Sequence, residues 1–239
     1  MTPPILFLTV LVVLIGSVVR GITAIGSALV VTSLGLLFLP PLVAVSLAAV
    51  TDVIGNAIMC YRYRREMLEN IENVIFGIIW CCLGAVFAIL LAPYTRFDVA
   101  LTSSVLLIFA SLYGLFFDFD AKGNQRAKAR FFAFLGGSSS VWSGLPGPFV
   151  AMSLLAKNAN NIMTSIFPIL FVMAIIRFVY FESDYYDSII RGLLFVPVIL
   201  IGLYIGMRYR EKMPVPYIAT CIYVVCFCSG LISLAKQIF

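Results

Sequence analysis

The stretch "VVRGITAIGSALVVTSLGLLFLPP", residues 18–41, places Arg20, Gly21 and Gly26 inside a run that otherwise reads as membrane helix. The surrounding chain makes the membrane the right frame. Across 239 residues, 62% are hydrophobic and 11% charged, and the mean hydropathy is +1.09, a balance foreign to soluble domains. Apolar runs of about the 20 residues needed to cross hydrocarbon recur along the chain, without the alternation of a membrane barrel. The expected fold is an all-α polytopic membrane protein, one transmembrane domain over residues 1–239. No stretch of globular composition is left for a separate catalytic domain. The net charge of +5 fits loops facing anionic lipid and offers no nucleic-acid patch. The opening "MTPPILFLTVLVVLIG" lacks the basic region of a cleavable signal peptide and is read as part of the mature protein.

Working outward from the quoted stretch, apolar segments fall near 5–39, 42–60, 71–92, 99–117, 131–157, 161–181, 188–207 and 215–235. Two are broken. The first is too long for one span and carries "GITAIGS"; the fifth carries "GGSSSVWSGLPGP", a cluster that helices tolerate poorly. Each is expected to be two shorter helices joined by an unwound tip, spanning Gly21 to Gly26 in the first case. The arms of the fifth, of roughly a dozen residues, reach about 18 Å, and those of the first about 24 Å, against about 30 Å of hydrocarbon.

Basic residues set the topology. Arg62, Arg64 and Arg65 follow the second segment, Lys122, Arg126, Lys128 and Arg130 the fourth, and Arg208, Arg210 and Lys212 the seventh. The positive-inside rule makes these loops cytoplasmic, and leaves "APYTRFD" and the loop with Glu182, Asp184 and Asp187 outside. Both broken segments must then return to the side they came from, as hairpins. A hairpin plus three crossings, repeated once, gives two inverted repeats: residues 1–120 and 131–239, joined by a cytoplasmic linker at 121–130. In such architectures discontinuous helices meet near the midplane to form a transport site. Internal likeness supports the repeat, since "AVSLAAVTDVIGNAIMCYRYR" follows the first break much as "MTSIFPILFVMAIIRFVYFE" follows the second.

The run "VVRGITAIGSALVV", then "PPLVAVSLAAVTDVIGN" with the basic "YRYRRE", then "SGLPGPFVAMSLLA", resembles the sulfite exporter TauE/SafE family of membrane permeases. The resemblance covers essentially the whole chain. It implies an anion transporter acting on small sulfur-containing anions and organic acids, such as sulfite, sulfonates and sulfoacetate, at the cytoplasmic membrane. The sequence departs from the family pattern at Ala24 and Ser27, where more glycines are usual, and in a shorter "GLPGP".

Arg20 now has a physical reading. It lies about 22 Å into the first segment, too deep for easy snorkelling, and must face protein or a water-filled cavity. Unwinding beside it frees backbone N–H groups, and a helix restarting near Ser27 aims its positive end at the same place. The expected binding residues are Arg20, Gly21, Thr23, Gly26 and Ser27 at the first tip, with Trp142, Ser143, Gly144 and Gly147 at the second. The hydroxyls of Ser139 and Ser140 are counted with the second tip. The rival readings are an arginine that only pairs with an acid, and glycines that only allow close helix packing.

Asp52 is the other deep charge, with Asn56 one turn later on the same face. It is the candidate for proton coupling and for pairing with Arg20 in an empty site, or else a structural partner. Arg177, a turn or so from Glu182, is expected to snorkel or pair there, with a place on the exit path as the other role. Cys60, Cys81, Cys82, Cys221, Cys226 and Cys228 read as small hydrophobes. With no histidine and no clustered nucleophile and base, an enzyme is not expected, and no cofactor or metal is implied. The reading is a secondary transporter exporting a small anion, proton-coupled through Asp52, as a monomer or homodimer in lipid; an uncoupled anion channel is the alternative.

Overall fold

The computed structural model describes residues 3–23, 26–92, 125–142, 146–157 and 162–210, with isolated helical positions between 101 and 112 and between 224 and 235. Every element in these stretches is an α-helix: α1 Pro3–Thr23, α2 Ser27–Gly35, α3 Pro41–Arg62, α4 Arg64–Glu69, α5 Ile71–Leu91, α6 Gln125–Trp142, α7 Gly147–Ala156, α8 Ile162–Leu193 and α9 Val196–Arg210. Three stretches, Pro3–Thr23, Val43–Arg62 and Ile71–Leu91, are long and apolar enough to cross a membrane. The fourth and eighth expected segments lie almost wholly outside the described residues.

The helices are arranged for an apolar solvent. Along α5, Ile75, Ile79, Leu83, Val86 and Leu90 are exposed, spaced to form one helical stripe, while Gly77, Cys81, Gly84, Ala85 and Ala88 are buried on the opposite side. Large residues outward and small ones inward are what membrane helices adopt, because lipid supplies no drive to hide a leucine and backbone proximity supplies the packing. Phe7, Leu8, Leu11 and Ile15 on α1 are exposed in the same way.

Both expected breaks are present, but with unequal arms. In the first hairpin α1 has 21 residues and α2 only 9; in the second α6 has 18 and α7 only 10. The short arms therefore reach about 14–15 Å, half of the hydrocarbon core. Helix α1 stays helical through Gly21 to Thr23, so the unwound stretch is shorter than Gly21 to Gly26. Gly26 ends it with φ 113°, a left-handed conformation that costs glycine nothing. Helix α3 opens on Pro41, and α7 also carries proline in its first turn, where no N–H is needed.

One expected boundary is corrected. Segments six and seven do not part at the acidic loop containing Glu182, Asp184 and Asp187: α8 runs unbroken from Ile162 to Leu193 and the chain turns only at 194–195. Apolar periodicity gave no reason to carry a helix through "ESDYYD", but acidic residues do not stop a helix in the way that proline or glycine does.

Helix α3 packs against α8 in the middle of the molecule, α1 against α2 and α9, and α6 against α5 and α7, while α2 lies on α3 and α7 on α8. Exchanging α1, α2, α3 and α5 for α6, α7, α8 and α9 maps this pairing pattern onto itself. The outer pairs touch backbone to backbone. A Cβ on Gly206 would lie 2.2 Å from the Val18 carbonyl oxygen, and one on Gly137 1.8 Å from that of Cys81, so α1–α9 and α5–α6 are each welded at glycine. Basic ends gather together: Arg210 at the end of α9 donates to the Tyr63 hydroxyl at the end of α3, and Arg126 and Arg130 of α6 share a cavity with Glu72 and Lys157.

Candidate functional site

Arg20 is the last basic residue of α1, one turn before the break, and its side chain is carried across to the middle of α3. Gly55 makes this possible: a Cβ there would lie 2.8 Å from Arg20 Cδ and 2.9 Å from Nε. The stem of Arg20 thus lies on a bare patch of α3, and the guanidinium arrives between residues 52 and 56, one helical turn apart.

Three side chains meet it, and a fourth joins through Asp52. Arg20 Nη1 bonds Asp52 Oδ1 at 2.5 Å and also donates to Ser27 Oγ, while Nη2 donates to Asn56 Oδ1. Ser27 Oγ donates in turn to Asp52 Oδ1 at 2.6 Å. On the other carboxylate oxygen, Arg177 Nη2 of α8 reaches Asp52 Oδ2 at 3.0 Å. Arg20 and Arg177 are each 1% exposed and Asp52 6%, so these charges are out of contact with solvent and must be held by one another. Among the described residues, the buried charges are two guanidiniums and one carboxylate.

The cluster sits at a helix start. Ser27 is the first residue of α2, preceded by Gly26 without a side-chain cap, so the leading N–H groups and positive dipole end of α2 lie beside the ion pairs. Two buried donors, Arg20 Nε and Asn56 Nδ2, have no hydrogen-bond partner among the described residues. With the paired guanidiniums they make this cluster buried and rich in donors.

Of the residues expected at the first tip, the fold brings together Arg20 and Ser27, and it joins to them Asp52 and Asn56, the candidates for proton coupling. Thr23 turns back, its hydroxyl donating to the Val19 carbonyl. Gly21 faces α9, where an added Cβ would stand 2.8 Å from Gly206 Cα; close packing is the use it serves here. Gly26 supplies the left-handed turn. Arg177 departs from expectation, pointing inward to Asp52 rather than out toward the acidic stretch. The deep setting of "AIIRFVY" was the available signal for it, and the nearness of Glu182 in sequence masked that signal.

The second tip is described only at its edges. Trp142 ends α6, half-buried and packed against the core, and Gly147 begins α7, while Ser143 and Gly144 lie outside the described residues. The hydroxyls of Ser139 and Ser140 donate to the carbonyls of Gly136 and Met173, and Ser138 donates to that of Gly84. Ser138 and Ser140 thus join helices, while this Ser139 bond stays within α6.

At the basic end a separate cavity is lined by Glu72, Phe76, Arg126, Arg130, Ala156 and Lys157. Lys157 lies over the Phe76 ring; partial burial holds its pKa below the usual lysine value, Glu72 opposing and Arg126 reinforcing the shift. Cys60, Cys81, Cys82 and Cys228 are free thiols.

Comparison with curated proteins and with solved structures returned no match. A family model does match, over residues 8–232, nearly the whole chain. The protein therefore belongs to the sulfite exporter TauE/SafE family.

Proposed function

We propose that this chain is a secondary transporter that exports small sulfur-containing or organic anions, such as sulfite, sulfonates and sulfoacetate, across the cytoplasmic membrane, with the anion held at the tip of the α1–α2 hairpin. Family membership supports the coarse part, a membrane transporter of sulfite-type anions. The observation that carries the finer part is the meeting of Arg20 and Arg177 on one carboxylate beside the start of α2. A planar guanidinium offers paired donors matched to a sulfonate or carboxylate, and a dehydrated pocket strengthens each contact.

In this reading Arg20 is the principal contact, Ser27 and the first N–H groups of α2 complete the cradle, and Asn56 offers its spare amide hydrogens. Asp52 carries the coupling proton: protonation weakens its hold on both arginines as the anion arrives, so anion and proton move together. Trp142, Ser143, Gly144 and Gly147 form the facing tip. Residues 1–120 and 131–239 act as inverted repeats about the linker 121–130; the self-exchanging helix pairing supports this, as do basic ends gathered on one side. Alternating access then follows from one hairpin-bearing half rocking against the other.

The test is reconstitution in liposomes with uptake of sulfite, sulfoacetate, taurine and acetate measured with and without an imposed pH gradient. Gradient-driven uptake of a sulfur anion is expected. Flux indifferent to the gradient makes the protein an anion channel, and no flux of any of the four by folded protein overturns the reading.

A further inference from the structure

Asp52 uses both carboxylate oxygens, each on a different arginine. Oδ1 takes Arg20 Nη1 at 2.5 Å and Ser27 Oγ at 2.6 Å, and Oδ2 takes Arg177 Nη2 at 3.0 Å. The arginines come from two different helices in contact with α3, the hairpin arm α1 and the long helix α8. A two-oxygen anion therefore spans a gap between two guanidiniums at a helix start, and the anion occupying it is part of the chain.

We propose that Asp52 is a tethered stand-in for the substrate: its carboxylate occupies the place of the transported oxyanion, and the substrate binds by displacing it and bridging Arg20 and Arg177 in its stead. The inference rests on the transporter reading and names its substrate chemistry. The ligand is an oxyanion presenting two oxygens to two guanidiniums, as sulfite, a sulfonate or a carboxylate does and a halide does not. Arg177 thereby becomes a binding residue. Displacement also explains how the site stays closed when empty, since the carboxylate ties α1, α3 and α8 together and an exchangeable anion leaves α3 free to move.

A self-occupied site scales apparent affinity down to the fraction of time it is vacant. The experiment measures sulfite binding to the purified full-length protein by calorimetry, for wild type, Asp52→Asn and Asp52→Asn with Arg177→Gln, with chloride as the control anion. Asp52→Asn is expected to bind sulfite at least about tenfold more tightly than wild type, the second substitution to abolish the gain, and chloride to compete poorly with sulfite in every variant. Should Asp52→Asn prove unstable alone, its thermal midpoint in sulfite is read instead, and is expected to rise more than that of wild type. Equal or weaker binding by folded Asp52→Asn while wild type binds sulfite overturns the inference and leaves the transporter reading standing, as does a variant that sulfite fails to stabilise. Absence of binding of sulfite, sulfoacetate, taurine and acetate by both wild type and Asp52→Asn overturns both.

Discussion

The two helical hairpins share a design and differ in chemistry. Each has a long arm, a break and a short arm, and each long arm is pressed against a neighbour through glycine, α1 on α9 at Gly206 and α6 on α5 at Gly137. At the first break, polar groups gather on Arg20: Ser27, Asp52 and Asn56 are all bonded to it, and Arg177 joins through Asp52. Beside the second, the serines of α6 spend their hydrogens on backbone carbonyls. Packing is duplicated because both hairpins must satisfy the same lipid. Charge is concentrated in one place because each buried ion is costly and is tolerated only where others neutralise it.

That contrast can be broken by substitution, and the largest effect belongs to the charged tip. Arg20→Met leaves Ser27 and Asn56 without their donor and Asp52 with one cation fewer, and a loss of about 3–5 kcal/mol is expected, read as a lower unfolding midpoint in detergent. Next come the glycine welds. Gly206→Ala and Gly137→Ala each push a methyl into a backbone carbonyl, so each is expected to cost about 1–3 kcal/mol. Similar losses at both sites sharpen the idea of a shared packing plan; a loss at one only breaks it.

Gly55→Ala has a smaller effect on stability, about 1 kcal/mol, because the atoms it meets belong to a flexible side chain that can shift. It dislodges Arg20 from α3 and is expected to weaken sulfite binding more than it weakens the fold, which paired calorimetry and thermal denaturation separate. The smallest effect is expected from Ser140→Ala, which removes one hydroxyl-to-carbonyl bond worth about 0.5–1.5 kcal/mol and leaves anion uptake at the wild-type rate.

Much of the fold was legible in the sequence, for physical reasons. Glycine and proline in "GITAIGS" and "SGLPGP" announce breaks because few other residues interrupt an apolar helix, and Arg20 announces a protected interior because lipid will not hold it. The pairing of Asp52 with Arg20 was likewise within reach, since deep opposite charges seek one another. Arg177 was not, because its partner lies 125 positions away and an acid nearby in sequence offered a local explanation. The continuity of α8 was hidden by its acidic stretch, and the roles of Gly21 and Gly55 depend on which helix lies opposite, which periodicity does not encode.

The most direct test sets the two hairpins side by side: sulfite uptake into proteoliposomes carrying wild type, Arg20→Gln or Ser140→Ala at matched incorporation, with an imposed pH gradient. Uptake at the level of empty liposomes is expected for Arg20→Gln and wild-type uptake for Ser140→Ala. Wild-type uptake by folded Arg20→Gln would contradict this expectation.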